Sequence, residues 1–456
     1  MSLATLARSS GSSTWLWGAL VGVTFGISAA LSLELALGGL IVLVALYAFS
    51  RTGVKSEVVV ALFWVAFCFY ETIFATVTVP GFFYPFYAAF GVTVAASLLR
   101  SGVRVESSVL WLYGGFLVVV LASFIGFTEP VGFEVVQRVF AYAFGLLVAL
   151  QFGSWRGLRP VLVATVLTGT TIAGWVIAAS VQAGFRYRGD ITVDQNVVTF
   201  FIGFGAIVAL AVAVDLMGRR GALGRLLLLL VPLAAMLYAI MLLASRGITI
   251  ALVLAVLAIV GRALLLDWRK LGVVLLVLLM AAGTVFLPGG DSLIERFSLA
   301  DTETGNERLP IWEETLEAFA QGDVYALLAG QGFGSSRAVV QRTFGGLTST
   351  HNAFLQILYE FGIIGLALFI ALHAFLIQRA FSLGAGRGLV MFGLMWYLIG
   401  ANLTLNAPDG FMYWTALGVA MALGLWGRPR SPEQVPEQVP EQVPAPVPPA
   451  APATAP

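Results

Sequence analysis

Two stretches of this chain, Leu226 to Leu243 and Leu271 to Leu287, run for 18 and 17 residues without one charged side chain. A bilayer core asks for roughly 20 consecutive apolar residues in a helix, because no water is present there to satisfy an exposed backbone N–H or C=O. Further apolar runs fall at about 15–31, 35–49, 57–74, 82–99, 109–126, 136–152, 160–180, 196–214, 248–265, 353–377, 388–405 and 411–427. With 59% of 456 residues apolar and 11% charged, against about 25% charged in an ordinary soluble domain, a water-soluble core is excluded. The sequence therefore predicts an all-α polytopic membrane protein with about fourteen transmembrane helices, or twelve if short early runs pair as re-entrant segments. The polar first residues and the absence of a small-residue cleavage pattern predict that the first apolar segment is a retained helix.

The net charge of +1 says little, but the placement of the charges orients the chain. With a cytoplasmic N-terminus, seventeen of the 25 Lys and Arg residues fall in inner connections. Among them are Arg51, Lys55, Arg100, Arg156, Arg219, Arg225, Arg262, Arg269, Arg387 and Arg428. This bias is the one the positive-inside rule expects, and it predicts an even number of spans with both termini cytoplasmic. The domain layout that follows is helices 1–11 over residues 1–287, a large outer loop over 288–350, helices 12–14 over 351–427 and a tail over 428–456. A loop of some sixty residues is usually functional. Within it, Ile311 to Phe319 has the spacing of an amphipathic helix. In the tail Pro-Glu-Gln-Val repeats three times from Pro432, which predicts an extended, disordered segment.

Arginine is costly near lipid, about 2.5 to 3.5 kcal/mol at mid-depth on insertion scales, so those on the disfavoured side ask for a reason. Arg186 and Arg188 lie in Arg186-Tyr187-Arg188-Gly189, Arg246 in the short turn Ser245-Arg246-Gly247, and Arg308 before Leu309-Pro310-Ile311-Trp312. Each alone reads as a headgroup anchor or as a partner of the outer carboxylates. Together they point to an anionic ligand at the outer face, with pyrophosphate the natural candidate, because guanidinium binds phosphate oxygens bidentately. Of the two histidines, His373 lies among apolar residues and reads as packing. His351 ends the outer loop and opens a span, and Asn352, Gln356 and Glu360 follow as one polar stripe at four-residue steps. A helix N-terminus and nearby arginines would keep its ring neutral and able to accept a proton. Gly330-Gln331-Gly332-Phe333-Gly334 lacks the lysine of a phosphate loop and reads as a turn. The single cysteine and the scattered outer acids Glu34, Glu71, Asp190 and Asp194 have no metal-site spacing, so neither a metal nor another cofactor is expected.

The run Ser349-Thr350-His351-Asn352-Ala353-Phe354-Leu355-Gln356-Ile357-Leu358-Tyr359-Glu360-Phe361-Gly362-Ile363-Ile364-Gly365 resembles the signature of the O-antigen ligase and O-antigen polymerase superfamily, in which a histidine is followed after ten residues by glycine. The resemblance extends to Arg308 through Trp312 with Gly330 to Gly334, to Ser245-Arg246-Gly247, and to Arg186 through Gly189 with Asn196, and so covers roughly residues 185 to 370. It implies a metal-independent membrane glycosyltransferase of the membrane-embedded GT-C-like class, acting at the periplasmic face of the bacterial inner membrane. The donor would be an undecaprenyl-diphosphate-linked oligosaccharide, and the acceptor a second glycan or the lipid A core. His351 would match the catalytic histidine, and Arg186 or Arg188, Arg246 and Arg308 the arginines that hold the diphosphate, with Asn352 and Glu360 beside them as substrate-binding residues. Membrane lipids and a chain-length regulator are the implied partners, and no nucleic acid. A flippase or transporter of lipid-linked oligosaccharide is the competing class, but it would commonly show internal repeats and mid-membrane helix breaks.

Overall fold

A computed structural model describes residues 107–124, part of 138–149, 155–184, 195–217, 221–289, 308–344, 350–405, 408 and 410–425. The expected spans before residue 100, the Arg186 and Arg188 segment and the Pro-rich tail lie outside the described residues. Among the described residues there is helix and no strand. The helices are α1 (Ser107–Ala122), α2 (Trp155–Gln182), α3 (Gln195–Leu216), α4 (Leu223–Leu243), α5 (Arg246–Leu266), α6 (Leu271–Val285), α7 (Arg308–Ala320), α8 (Val324–Ala329), α9 (Ser335–Phe344), α10 (Ala353–Ser382), α11 (Ala385–Thr404) and α12 (Phe411–Leu425). Five of these, α2 to α5 and α10, are long and apolar enough to cross a membrane, while α1, α6 and α12 contain shorter apolar helices. Each matches one of the expected apolar runs. The figure of fourteen spans extends over residues outside the described ones.

The apolar runs pack around α3, whose side chains from Val198 to Val214 are almost all buried and which meets α2, α4, α5 and α11. A wholly apolar helix gains nothing from water when it buries a face in lipid, so close backbone approach has to supply the association. The α5 and α11 pair shows how. Gly247 faces Thr404, Ala251 faces Gly400, Ile259 faces Gly393 and Arg262 faces Gly388, an antiparallel seam in which a Cβ on Gly400 would lie 2.5 Å from the Ala251 Cα. Leucines on the outward faces, such as Leu228 on α4 and Leu257 on α5, remain exposed, as a lipid-facing surface requires.

The span expected to begin at 353 differs from its sequence reading. Gly362 has φ 67° and ψ −171° and breaks α10 into Ala353–Phe361 and a second segment that runs on to Ser382. In an unbroken helix the carbonyls of Tyr359 and Glu360 would accept from residues 363 and 364. Here they accept instead from Gln331 N at 2.8 Å and Gly332 N at 3.2 Å. Exposed apolar side chains on α10 begin at Ile363 and Ile364, one residue past the break. The twenty residues after Gly362 cover about 30 Å, one bilayer core, at 1.5 Å per residue. The segment before it belongs with the loop helices.

Glycine makes this junction possible at both contact points. Gly330 sits at φ 88° and a Cβ there would overlap the Glu360 carbonyl, while a Cβ on Gly362 would overlap the Leu328 carbonyl. The Gly330–Gly334 segment is a turn, as its sequence suggests, and it drives Phe333 into the bundle. The Phe333 ring lies 5.0 Å from Phe124 and 5.9 Å from Tyr142 and Phe361, under the Arg138 guanidinium at 5.7 Å. The expected amphipathic helix is α7, which buries Ile311, Thr315 and Phe319 at four-residue steps.

Candidate active site

The short turn between α4 and α5 gathers the first group of polar residues. Ala244 takes a left-handed conformation, φ 48°, and its N–H caps α4 on the carbonyls of Ile240 and Met241. Ser245 then begins α5 and donates from Oγ to Asn196 Oδ1 at 2.8 Å, which ties the starts of α5 and α3 together. Arg246 follows as the first residue of α5, and Gly247 leaves space for the Thr404 hydroxyl. The three residues of the Ser-Arg-Gly motif therefore have separate jobs: a brace, a charge and a close contact.

Arg308 opens α7 at the same end of the bundle. Burial lowers its proton affinity from the ordinary arginine value, and the nearby Arg246 charge lowers it further. Among the described residues no carboxylate pairs with Arg308. Two guanidinium charges near enough to sense each other, one of them half-buried, repel, and a bound anion would lessen that repulsion.

One turn further along α7, Trp312 donates from Nε1 to the Thr350 carbonyl at 2.9 Å. Thr350 is fully buried and immediately precedes His351, so α7 carries Arg308 and steadies the histidine segment at once. His351 itself is half-buried at φ 51°, a left-handed conformation that costs an L-residue roughly 1–2 kcal/mol. Ala244 and His351 are the non-glycine residues with positive φ among the described ones; Ala244 lies two residues before Arg246, and His351 follows Thr350, which Trp312 of α7 holds. Strain of this kind tends to gather at functional sites. Replacing Trp312 by Phe should keep the packing and lose one hydrogen bond, a cost of about 0.5–1.5 kcal/mol. We expect the melting temperature of the purified protein to fall measurably with its helix content unchanged, and thermal unfolding followed by circular dichroism checks both.

The polar stripe runs otherwise than its spacing suggests. His351 lies just outside the helix, and Asn352 is the cap: its Oδ1 accepts from Phe354 N and Leu355 N at 3.0 and 3.1 Å. Gln356 and Glu360 are buried at 1% and 0% exposure. Glu360 Oε1 accepts from Ser336 Oγ at 2.6 Å and from Gln356 Nε2 at 3.4 Å. The stripe thus faces the loop helices and α9 rather than leading into lipid. Arg186 and Arg188 lie outside the described residues. Trp312, Thr350 and Ser336 carry structural bonds at this end that no single-residue signal in the sequence marks. Among the described residues no three His, Cys, Asp or Glu side chains converge as metal ligands would.

His373, the second histidine, is packed as its apolar neighbours suggest. Its Nδ1 donates to the Phe369 carbonyl at 2.8 Å, and Nε2 meets the Tyr413 hydroxyl at 2.7 Å. Asn402 Nδ2 donates to that hydroxyl at 3.0 Å, so one buried chain of bonds joins α10, α11 and α12.

Comparison with protein families matches residues 231–370 to O-antigen ligase. The matched segment contains Arg246, Arg308, His351 and Gly362, and it begins after Arg186, Arg188 and Asn196. No curated protein matches the chain.

Proposed function

We propose, from the match of residues 231–370 to O-antigen ligase, that this chain is a glycosyltransferase of the O-antigen ligase and polymerase superfamily working at the Arg246, Arg308 and His351 end of the bundle. The donor is an undecaprenyl-diphosphate-linked oligosaccharide, and the acceptor is a hydroxyl of a second lipid-linked glycan or of the lipid A core. The reaction occurs at the periplasmic face of the inner membrane, with α7 to α9 and the first part of α10 forming the outer layer over the spans. The observation that supports this reading best is Arg308, half-buried beside Arg246 and without a carboxylate among the described residues.

In this reading the acceptor oxygen forms a bond to the anomeric carbon of the donor as the bond from that carbon to the diphosphate breaks. His351 takes the acceptor proton, and the arginines hold the charge that grows on the departing diphosphate. On the sequence resemblance alone, Arg186 or Arg188 is assigned the same role. Guanidinium groups do the work that a divalent cation does in many nucleotide-sugar enzymes, so turnover is expected to survive chelation. Asn352 and Glu360 act on the substrate through the shape of the His351 segment, since the side chain of one caps α10 and that of the other is enclosed.

Arg308 provides the test. Arg308→Ala should weaken binding of the diphosphate lipid by about 1.5–3 kcal/mol, the worth of a hydrogen bond to a charged group. That is roughly tenfold to 150-fold in affinity at about 1.4 kcal/mol per tenfold. Arg308→Lys should restore only part of it, because a point charge cannot reproduce the planar fork. Donor affinity unchanged in Arg308→Ala would make Arg308 a headgroup anchor and remove the main support for this reading.

A further inference from the structure

The loop helix beside the Gly362 break has an apolar surface that the transfer reaction does not use. Helix α8, Val324-Tyr325-Ala326-Leu327-Leu328-Ala329, carries no charge and no polar side-chain group except the Tyr325 hydroxyl, and none of its residues is buried. Val324, Tyr325 and Leu328 stand at the three- and four-residue steps that share a helix face, and they are 61, 79 and 45% exposed. The uncharged stretch runs on to Ser336. Its neighbours differ, since α7 carries Glu313, Glu314 and Glu317 and α9 carries Arg337 and Arg342. Facing water, a patch of this kind asks for something to cover it.

Its position names the cover. The Leu328 carbonyl lies against Gly362 so closely that a Cβ on the glycine would overlap it. The spanning part of α10 starts at that glycine, and Ile363 and Ile364 just beyond it are 50 and 45% exposed, as side chains that lie against hydrocarbon are. Leu328 is therefore at the level where the span enters the bilayer, and exposed apolar surface runs on from α10 to α8 across this contact. Asp323, the charge adjoining α8, stays at its end as the cap, accepting from Ala326 N at 2.8 Å. Tyrosine suits the same level, because its ring is apolar and its hydroxyl seeks water.

We propose that α8 is an interfacial anchor whose Val324, Tyr325 and Leu328 enter the leaflet on the loop side to about 5–10 Å, the depth usual for a helix lying in the headgroup and acyl boundary. The partner is the lipid surface itself, with no headgroup selected, since α8 brings no charge to it. Six residues hold a membrane weakly alone, but the Gly330 and Gly362 junction already keeps them at the boundary. Helix α7, joined to α8 through Gln321, Gly322 and Asp323, is held with it. Arg308 is thereby kept at a fixed height over the boundary where a lipid diphosphate lies, a consequence that rests on the transfer reading, whereas the anchoring does not.

The test uses the full-length Cys68→Ser protein, which lacks the one native cysteine, with a single nitroxide label at Tyr325→Cys, at Leu328→Cys or at the exposed control Glu313→Cys. The protein is placed in vesicles of phosphatidylethanolamine and phosphatidylglycerol without donor, so the result is independent of glycan transfer. Electron paramagnetic resonance compares collisions with oxygen, which concentrates among acyl chains, and with a nickel chelate, which stays in water. We expect the labels at 325 and 328 to favour oxygen, at a depth of about 5–10 Å, and the label at 313 to favour the chelate. Val324→Asp, which puts a charge in the anchor at an exposed position, should move the label at 328 towards the chelate with helix content unchanged. Labels at 325 and 328 that favour the chelate face water, and labels that meet neither reagent lie under another helix or a second copy of this chain. Either result, or an unchanged depth in Val324→Asp, would overturn the proposal.

Discussion

His351→Gln is expected to insert, fold and bind donor as the parent does, and to turn over about 100-fold to 10,000-fold more slowly, the usual worth of a positioned general base. Glutamine keeps the size and hydrogen-bonding capacity of the ring but takes no proton at neutral pH. His351→Ala should be about as slow. A residue that only shaped the backbone would behave differently, with Gln largely active and Ala poorly folded. The left-handed φ of 51° supplies a second control. His351→Gly relieves the backbone strain, so it should be inactive and slightly more stable. Single-turnover assays on purified variants, with melting temperatures recorded alongside, separate these cases. His373 is not a neutral comparison, because its removal would leave the buried Phe369 carbonyl and Tyr413 hydroxyl each short of a bond. His373→Ala should lower the melting temperature and leave the chemistry of the folded fraction intact.

Gly362→Ala should be the most damaging substitution outside the charged residues. Its backbone lies in a region open essentially to glycine alone, where any other residue pays on the order of 1–3 kcal/mol. The new Cβ would also overlap the Leu328 carbonyl, and the segment can escape only by giving up the bonds from Gln331 and Gly332, worth about 1 kcal/mol each. The total is about 3–5 kcal/mol if both bonds are lost. We expect a clearly lower melting temperature, faster proteolysis around 330–334 and loss of turnover, because the loop helices that carry Arg308 and Trp312 dock through this contact. Gly330→Ala should act in the same way from the other side. A Gly362→Ala protein that melts like the parent would mean that the junction contributes little to holding the loop.

Helices α2 to α6 were legible from uncharged apolar runs, since in a bilayer length and composition nearly settle where a helix must be. Helix α7 was legible from Ile311, Thr315 and Phe319 at a helical period. The glycine-rich turn and the histidine-to-glycine spacing were both visible, but not that Gly330 and Gly362 touch. A break in the middle of an apolar run leaves no local mark when its backbone groups are satisfied by a segment thirty residues away. The same holds for Glu360. Its four-residue spacing from Gln356 is plain in the sequence, whereas the Ser336 hydroxyl that meets it comes from a different helix. Arg262 misled for another reason: its charge resembles that of a loop arginine, and only the carbonyls of Ala380 and Leu383 ending α10, which accept from its guanidinium, explain its place inside α5. At the candidate site the sequence marked the charged and titratable residues. The hydrogen bonds of Trp312, Thr350 and Ser245 that steady them depend on tertiary contacts that no spacing encodes.

The central claim is that this end of the bundle transfers a glycan from a lipid diphosphate, and the most direct measurement follows that bond in a defined system. Purified protein in liposomes is given an undecaprenyl-diphosphate-linked oligosaccharide in the presence of a chelator, with and without lipid A core, and the products are separated by size. The account predicts release of undecaprenyl diphosphate matched by longer glycan or by glycosylated lipid A core, with both products lost in His351→Gln. Movement of the intact donor across the membrane with no bond broken, or transfer undiminished in His351→Gln, would contradict it.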